Sequence, residues 1–332
     1  MIDVKKYALV DLHLHLDGSI SLPSAKELAK MQNIELCSDD ELIKKLRVSD
    51  GCRDLCEYLE KFEFPLSLLQ TREAISKAVY ILCEELRRQG LVYAEIRFAP
   101  QLHCQKGLSQ REVVEAAIDG MRKSEMFATL ILCCMRGEGL YQKNIETVDC
   151  AKTFLSQGVG ALDLAGAESL YPNEKFIDVF EYAKENGVPF TIHAGEADGA
   201  SSVRSAIAMG ACRIGHGVRS CEDETLLVEL AKSGIALEIC PTSNLNTKVF
   251  ETLEEYPIEK LLSANVPITV NTDNTSVSNT TLAEEFEKLA KVYDFSKEEL
   301  ERIVKTAINV SFATRDVKEK ALATVKKRFE IE

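Results

Sequence analysis

The chain has 332 residues, enough for one large hydrophobic core. Its formal net charge of −13 and the lack of a long Lys/Arg run argue against a polyanionic partner, so no nucleic acid is expected. No apolar run approaches the roughly 20 residues of a membrane span, so no membrane association is expected either.

The 11 cysteines form no spaced framework, which fits a reduced compartment with buried, inert thiols. The first expected strand, Ala8–His15, begins too early to leave room for a signal peptide. These features point to a cytoplasmic protein.

Residues from Ser19 to about Arg88 exceed one crossover helix and read as a helical insert over the sheet. Within them Arg72–Gln89 has helical spacing and ends at Gly90. A strand is expected at Val92–Phe98. Ser109 then caps a helix running through Met126, with Glu112 as its capping-box partner. Further strands fall at Ala128–Met135, Val159–Leu164, Pro189–His193, Cys212–His216, Ile235–Ile239 and Pro267–Asn271. Helices Asn173–Asn186, Asp223–Ser233 and Glu254–Asn265 lie between the later ones, and Ser296–Val310 and Asp316–Phe329 follow. The strands are short and apolar, as strands buried on both faces should be.

Strand–helix alternation repeated eight times predicts an α/β fold, a (β/α)8 TIM barrel with a helical insert after strand 1 and extra C-terminal helices. A doubly wound sheet is the alternative, but no glycine-rich nucleotide loop follows the first strand. With no linker or repeat, residues 1–332 are expected to form a single domain.

The five histidines carry the functional signal. His13 and His15 are two apart on a strand and therefore share a face, with Leu12, Leu14 and Leu16 on the other. His193 ends strand five and Asp273 follows strand eight. In a barrel all four reach the C-terminal rim, where active sites lie. Three nitrogens and a carboxylate suit Zn2+, with Fe, Co and Mn left open. Glu196, three residues past His193, lies close enough to act as a proton donor with a raised pKa. His216 sits between Gly215 and Gly217 and reads as a group beside the site, a fifth ligand or a core histidine. His103, on a loop that reads as polar, is given no role.

The phrases H-L-H-L-D-G-S, L-D-L-A-G-A-E, H-A-G-E, G-H-G, C-P-T-S-N and N-T-D, in this order, resemble the adenosine deaminase family over nearly the whole chain. The resemblance implies a zinc-dependent hydrolase that converts adenosine, a purine nucleoside, to inosine and ammonia with one zinc per chain. It implies His13, His15, His193 and Asp273 as ligands, Glu196 as the acid at purine N1, and His216 as the residue that orients or deprotonates water. Gly166 would donate to N3, Asp17 would contact the ribose, and His15 and Asn274 would also face the substrate. Segment Leu59–Pro65 resembles the family's apolar gate, although such stripes are often helix core.

Many relatives carry two acids where this chain has Asp273-Asn274. An Asn amide can donate to purine N7, whereas an ionised Asp cannot. Relatives acting on free adenine tend to carry Glu where this chain has Asp17. A binuclear site would need a Lys at the end of strand four, and none is there. An AMP deaminase would need a basic group for the phosphate. A catalytically silent nucleoside-binding protein is the remaining alternative, disfavoured by the intact set of ligands with Glu196 and His216.

Overall fold

The strands of the computed structural model, which describes residues 3–49 and 51–330, fall where the short apolar runs place them. They are β1 (Leu9–His15), β2 (Leu91–Phe98), β3 (Ala128–Met135), β4 (Val159–Ala165), β5 (Thr191–Ala194), β6 (Arg213–His216), β7 (Ala236–Ile239) and β8 (Ile268–Val270). They pair in parallel as β1-β2-β3-β4 and β5-β6-β7-β8. Parallel bridges Leu162↔Phe190 and Leu14↔Asp273 join the two sheets, linking β4 to β5 and β1 to the residues after β8. The order is that of a TIM barrel.

The insert after β1 holds α1 (Leu22–Met31), α2 (Asp39–Leu46), α3 (Leu55–Leu59) and α4 (Glu63–Leu68). Ser21, Ser38 and Asp54 cap the first three. The insert is shorter than expected, because α5 (Arg72–Arg88) belongs to the barrel wall. Ile75, Val79, Leu82 and Leu86 bury one face of α5, and α5 also packs closely along α6 (Gln110–Arg122). A Cβ on Gly120 would lie 2.1 Å from the carbonyl oxygen of Ser76, so only glycine lets the two helices approach this closely. The Ser109–Glu112 capping box is present. α6 stops at Arg122, short of Met126, and the Ser124 hydroxyl then accepts from the Met126 amide at 3.1 Å.

The remaining helices are α7 (Tyr141–Phe154), α8 (Ile177–Glu185), α9 (Ala200–Met209), α10 (Glu224–Ser233), α11 (Pro241–Asn246), α12 (Ile258–Ser263), α13 (Leu282–Leu289), α14 (Lys297–Val310) and α15 (Arg315–Glu330). The long arm of α15 reaches back to β2, where Arg328 donates to the Gly90 carbonyl at 3.2 Å.

The lumen departs from the apolar strands expected. Glu95, Arg97, Asp163, Arg213 and Glu238 are fully buried inside it. Arg97 bonds Asp163 at 3.1 Å and Glu238 at 2.8 Å, and Arg213 bonds Glu238 at 2.7 Å. Charges out of water must be paired and hydrogen-bonded, and here each is. The cysteines are free, as expected, but Cys37, Cys56 and Cys212 are exposed rather than buried. Among the described residues no helix is long and apolar enough to cross a membrane.

Candidate active site at the C-terminal rim of the barrel

Two backbone links fix the rim between β1 and β8. The amide of Asp273 donates to the His13 carbonyl at 2.8 Å, and the His15 amide donates to the Asp273 carbonyl at 2.7 Å. The preceding residues stitch the same seam. Asn271 Oδ1 accepts from the Leu12 amide at 2.9 Å, and the Thr272 hydroxyl donates to Asp11 at 2.6 Å. Asp273 and His216 both have φ near +60°, an uncommon conformation for residues other than glycine that gathers at functional sites.

His13, His15, His193 and Asp273 each offer one ligand atom, and these atoms lie within 4.8 Å of one another. His15 Nε2 and His193 Nε2 are 3.3 Å apart, and both His13 Nε2 and His15 Nε2 are 3.4 Å from Asp273 Oδ1. The opposite ring nitrogens are already engaged. His13 Nδ1 lies 2.8 Å from Glu238 Oε2, and His193 Nδ1 lies 2.9 Å from Asp163 Oδ2. Each carboxylate thereby puts the ring proton on Nδ1 and turns the Nε2 lone pair inward. His13 Nε2 is buried and has no hydrogen-bond partner among the described residues. An orphaned imidazole nitrogen among two more and a carboxylate fits a divalent ion with a preference for nitrogen and oxygen. Burial opposes ionisation of Asp273, but the imidazoles of His13, His15 and His216 that face it hold its carboxyl well below the usual range.

A cavity of about 230 Å3 opens above this cluster. His15, Asp17, Gly166, His193, Glu196, His216, Asp273 and Asn274 all reach it, while His13 lies beneath, fully buried. Among the described residues no lysine or arginine lines it. Gly166 follows β4 with φ 110°. Burial raises Asp17 to about 6.

Glu196 is buried, and burial, followed by the charges of Asp273 and Glu168, pushes its carboxyl well above the usual range. Its Oε2 is 3.6 Å from His216 Nε2. On the other side of that ring, Asn244 Nδ2 is 3.1 Å from Nδ1, and the Tyr256 hydroxyl donates to Asn244 Oδ1 at 3.2 Å. The tyrosine fixes the amide, the amide donates to Nδ1, and Nε2 therefore carries the ring proton. Burial keeps the His216 imidazole neutral by pulling its pKa well down.

Asn274 lies against Gly18. A Cβ on Gly18 would lie 1.7 Å from Asn274 Oδ1, so the glycine of the first motif makes room for the amide. The insert closes the cavity from above. Leu59 and Phe62 line it, with Leu55, Tyr58 and Leu66, and Phe62 meets the His15 ring edge-on at 6.4 Å. Phe64 and Pro65 do not; Phe64 packs against the main core with the Lys45 ammonium 5.4 Å from its ring. The Tyr58 hydroxyl ties the insert to Ser278 at 2.7 Å.

The family model for adenosine deaminase matches residues 8–328. The chain belongs to the adenosine deaminase family. It is 44% identical to the adenosine deaminase of Haemophilus ducreyi, covering 99% of this chain and 98% of that one. Among solved structures, the adenine deaminase of Arthrobacter aurescens superposes with a TM-score of 0.85 at 26% identity, covering 97% of this chain and 98% of the other. The Arabidopsis N6-mAMP deaminase also gives 0.85 at 26% identity, covering 98% and 99%.

In this adenosine deaminase family member the residues not foreseen in the sequence are the ones behind the site: Asp11, Asp163, Glu238 and Asn244. Asp11, Asp163 and Glu238 stand in buried strands and Asn244 in the short helix after β7, and a lone polar residue buried in either needs a partner. That placement is the available signal. His103 reads in the sequence as part of a polar loop, but it is fully buried. It bonds the Leu69 carbonyl at 2.9 Å and does not line the cavity.

Proposed function

We propose that this chain hydrolyses adenosine and 2′-deoxyadenosine to the corresponding inosines and ammonia, with one Zn2+ per chain held by His13, His15, His193 and Asp273. The observation that carries the reading is Glu196, a carboxyl that burial makes hold its proton well above the usual carboxylate range and that faces a cavity whose floor is the His/Asp cluster. Purine C6 is a poor electrophile, because adding water breaks the ring's aromaticity. The addition pushes electron pairs onto N1. An acid placed there accepts that charge as a bond to hydrogen.

A divalent ion bound by the four ligands supplies a nucleophile at neutral pH by lowering the pKa of water toward about 7. The chain's own groups do the rest. Glu196 gives its proton to N1. His216 donates Nε2–H to the attacking oxygen and orients it toward C6. The proton on the added oxygen then moves to the amine, which leaves as ammonia, and Glu196 is reprotonated from solvent. Gly166 offers its amide to N3, Asn274 its amide to N7, and Asp17 accepts from the ribose. The apolar insert excludes bulk water.

The cavity's lack of a cation counts against a nucleotide, whose phosphate would have no counter-charge. The free cysteines support a cytoplasmic setting. Steady-state rates on adenosine, 2′-deoxyadenosine, adenine and AMP, with bound metal assayed, test the proposal. The nucleosides should be turned over fastest. A kcat/KM highest for adenine or for AMP would reject it.

A further inference from the structure

The segment that carries Glu196 has no regular secondary structure. It runs from Gly195 to Gly199 between β5 and α9, and no side chain caps α9. Its shape comes from one buried anion. Oε1 of Glu168 accepts from the Gly195 amide at 2.7 Å and from the Ser202 hydroxyl at 2.5 Å. Oε2 accepts from the amides of Glu196, Ala197 and Asp198 at 3.0, 2.7 and 3.0 Å. Glu168 is 1% exposed. Successive amides closing on an anion form a nest, which requires one left-handed residue. Gly195 supplies it with φ 70°, and a Cβ there would lie 2.5 Å from Val203 Cγ2. The other polarity is clamped as well. Arg136 donates to the His193 carbonyl at 2.6 Å and to Asn173 at 2.7 Å. Asn173 in turn donates to the Ser202 carbonyl at 2.9 Å.

We propose that Glu168 is a positioning residue for the reaction: its carboxylate folds the Gly195–Asp198 backbone around itself and so fixes the Glu196 carboxyl over the cavity. The inference rests on the reading of Glu196 as the proton donor. Hydrogen bonds to an ionised acceptor are the strong ones, and without Glu168 the buried amides of Gly195 and Glu196 and the half-buried ones of Ala197 and Asp198 would lose their shared partner. A glutamine has the same shape, but its NH2 must face either the Oε1 donors or the Oε2 donors. The nest would open, and Glu196 would move with it.

The test compares Glu168→Gln, Glu196→Gln and the double variant in the metal-loaded enzyme. Glu168→Gln should lose about 10²-fold in kcat, the scale of a reacting group displaced by about 1 Å, with a much smaller change in KM. Metal content should stay at the wild-type level. Amide exchange at Gly195–Asp198 should accelerate while the rest of the barrel keeps its protection. In the Glu196→Gln background the same substitution should cost nothing further, because both act on one step. A wild-type kcat for Glu168→Gln, or the same fold-loss in both backgrounds, overturns the positioning role alone. A wild-type rate for Glu196→Gln overturns it together with the reading beneath it. If Glu168→Gln does not fold, Glu168→Asp, which keeps the charge but retreats by one methylene, takes its place. It should lose kcat in the wild-type background only, and equal losses in both would reject the proposal.

Discussion

Glu238 Oε2 lies 2.8 Å from His13 Nδ1, joining residues 225 apart in sequence beneath the cavity. The same oxygen accepts from Arg97 at 2.8 Å, and Arg97 also holds Asp163, the carboxylate behind His193. One guanidinium thus braces both imidazole orienters. Burial opposes ionisation of Glu238, but Arg97 and then Arg213 keep its carboxyl well below the usual range.

The first prediction concerns this brace. Glu238→Gln or Asp163→Asn leaves every proposed ligand in place but weakens the hold on its ring. Each should raise the zinc dissociation constant by about 10- to 100-fold, as loss of such outer partners does elsewhere. Competition with a chromogenic chelator reads it. An unchanged constant in both variants would contradict the role.

The insert gives the second. Phe62 is half-buried, lines the cavity and packs beside Tyr58 with ring centroids 6.3 Å apart. Phe62→Ala should raise KM for adenosine by about tenfold or more, because the bound nucleoside would no longer be covered by the phenyl ring. Its melting temperature should shift little. A large drop in melting temperature with normal kinetics would make Phe62 core rather than gate.

The convergence of the four proposed ligands was legible because it is written in strand ends. His13, His15, His193 and Asp273 each close or follow a short apolar run, and the barrel rule brings such positions together. The supports were not legible in the same way. Glu238 and Asp163 are single charges in apolar strands, and nothing local tells which imidazole each will meet. The apolar cover of the cavity was half legible. Leu59 and Phe62 face the cavity, but Phe64 and Pro65, in the same apolar stripe, turn toward the core. That division depends on where the short helices α3 and α4 break, which the hydrophobic spacing does not reveal. The burial of His103 is hidden in the sequence because the surrounding polar residues conceal its packing on Phe98, at 5.7 Å between ring centroids.

His103 supplies the third prediction. Burial lowers its pKa to about 4, from 6.5 for an ordinary histidine. The unfolded chain therefore binds a proton that the folded chain refuses as pH falls from 6.5 toward 4. The contribution to stability is full above that window and is lost through it, at up to about 1.4 kcal/mol per pH unit. His103→Asn keeps a donor for the Leu69 carbonyl but does not titrate. Urea unfolding across the window should give a shallower pH slope for the variant. An identical slope would mean that His103 does not titrate as its burial implies.

The fourth prediction separates orienting from ligation. His216 is proposed to hold the attacking oxygen, not the metal. His216→Ala should lower kcat by about 10²-fold or more, with metal content near one per chain. A variant that emerged metal-free and regained activity in excess zinc would make His216 a ligand.

The most direct test of the account is Glu196→Gln assayed on adenosine with bound metal measured in the same sample. The substitution keeps size and hydrogen bonding but removes the proton. The account predicts kcat reduced by about 10²-fold or more, KM changed far less, and one metal per chain retained. A near-normal kcat in the metal-loaded variant would mean that the proton at N1 comes from elsewhere, and would contradict the mechanism at its central step.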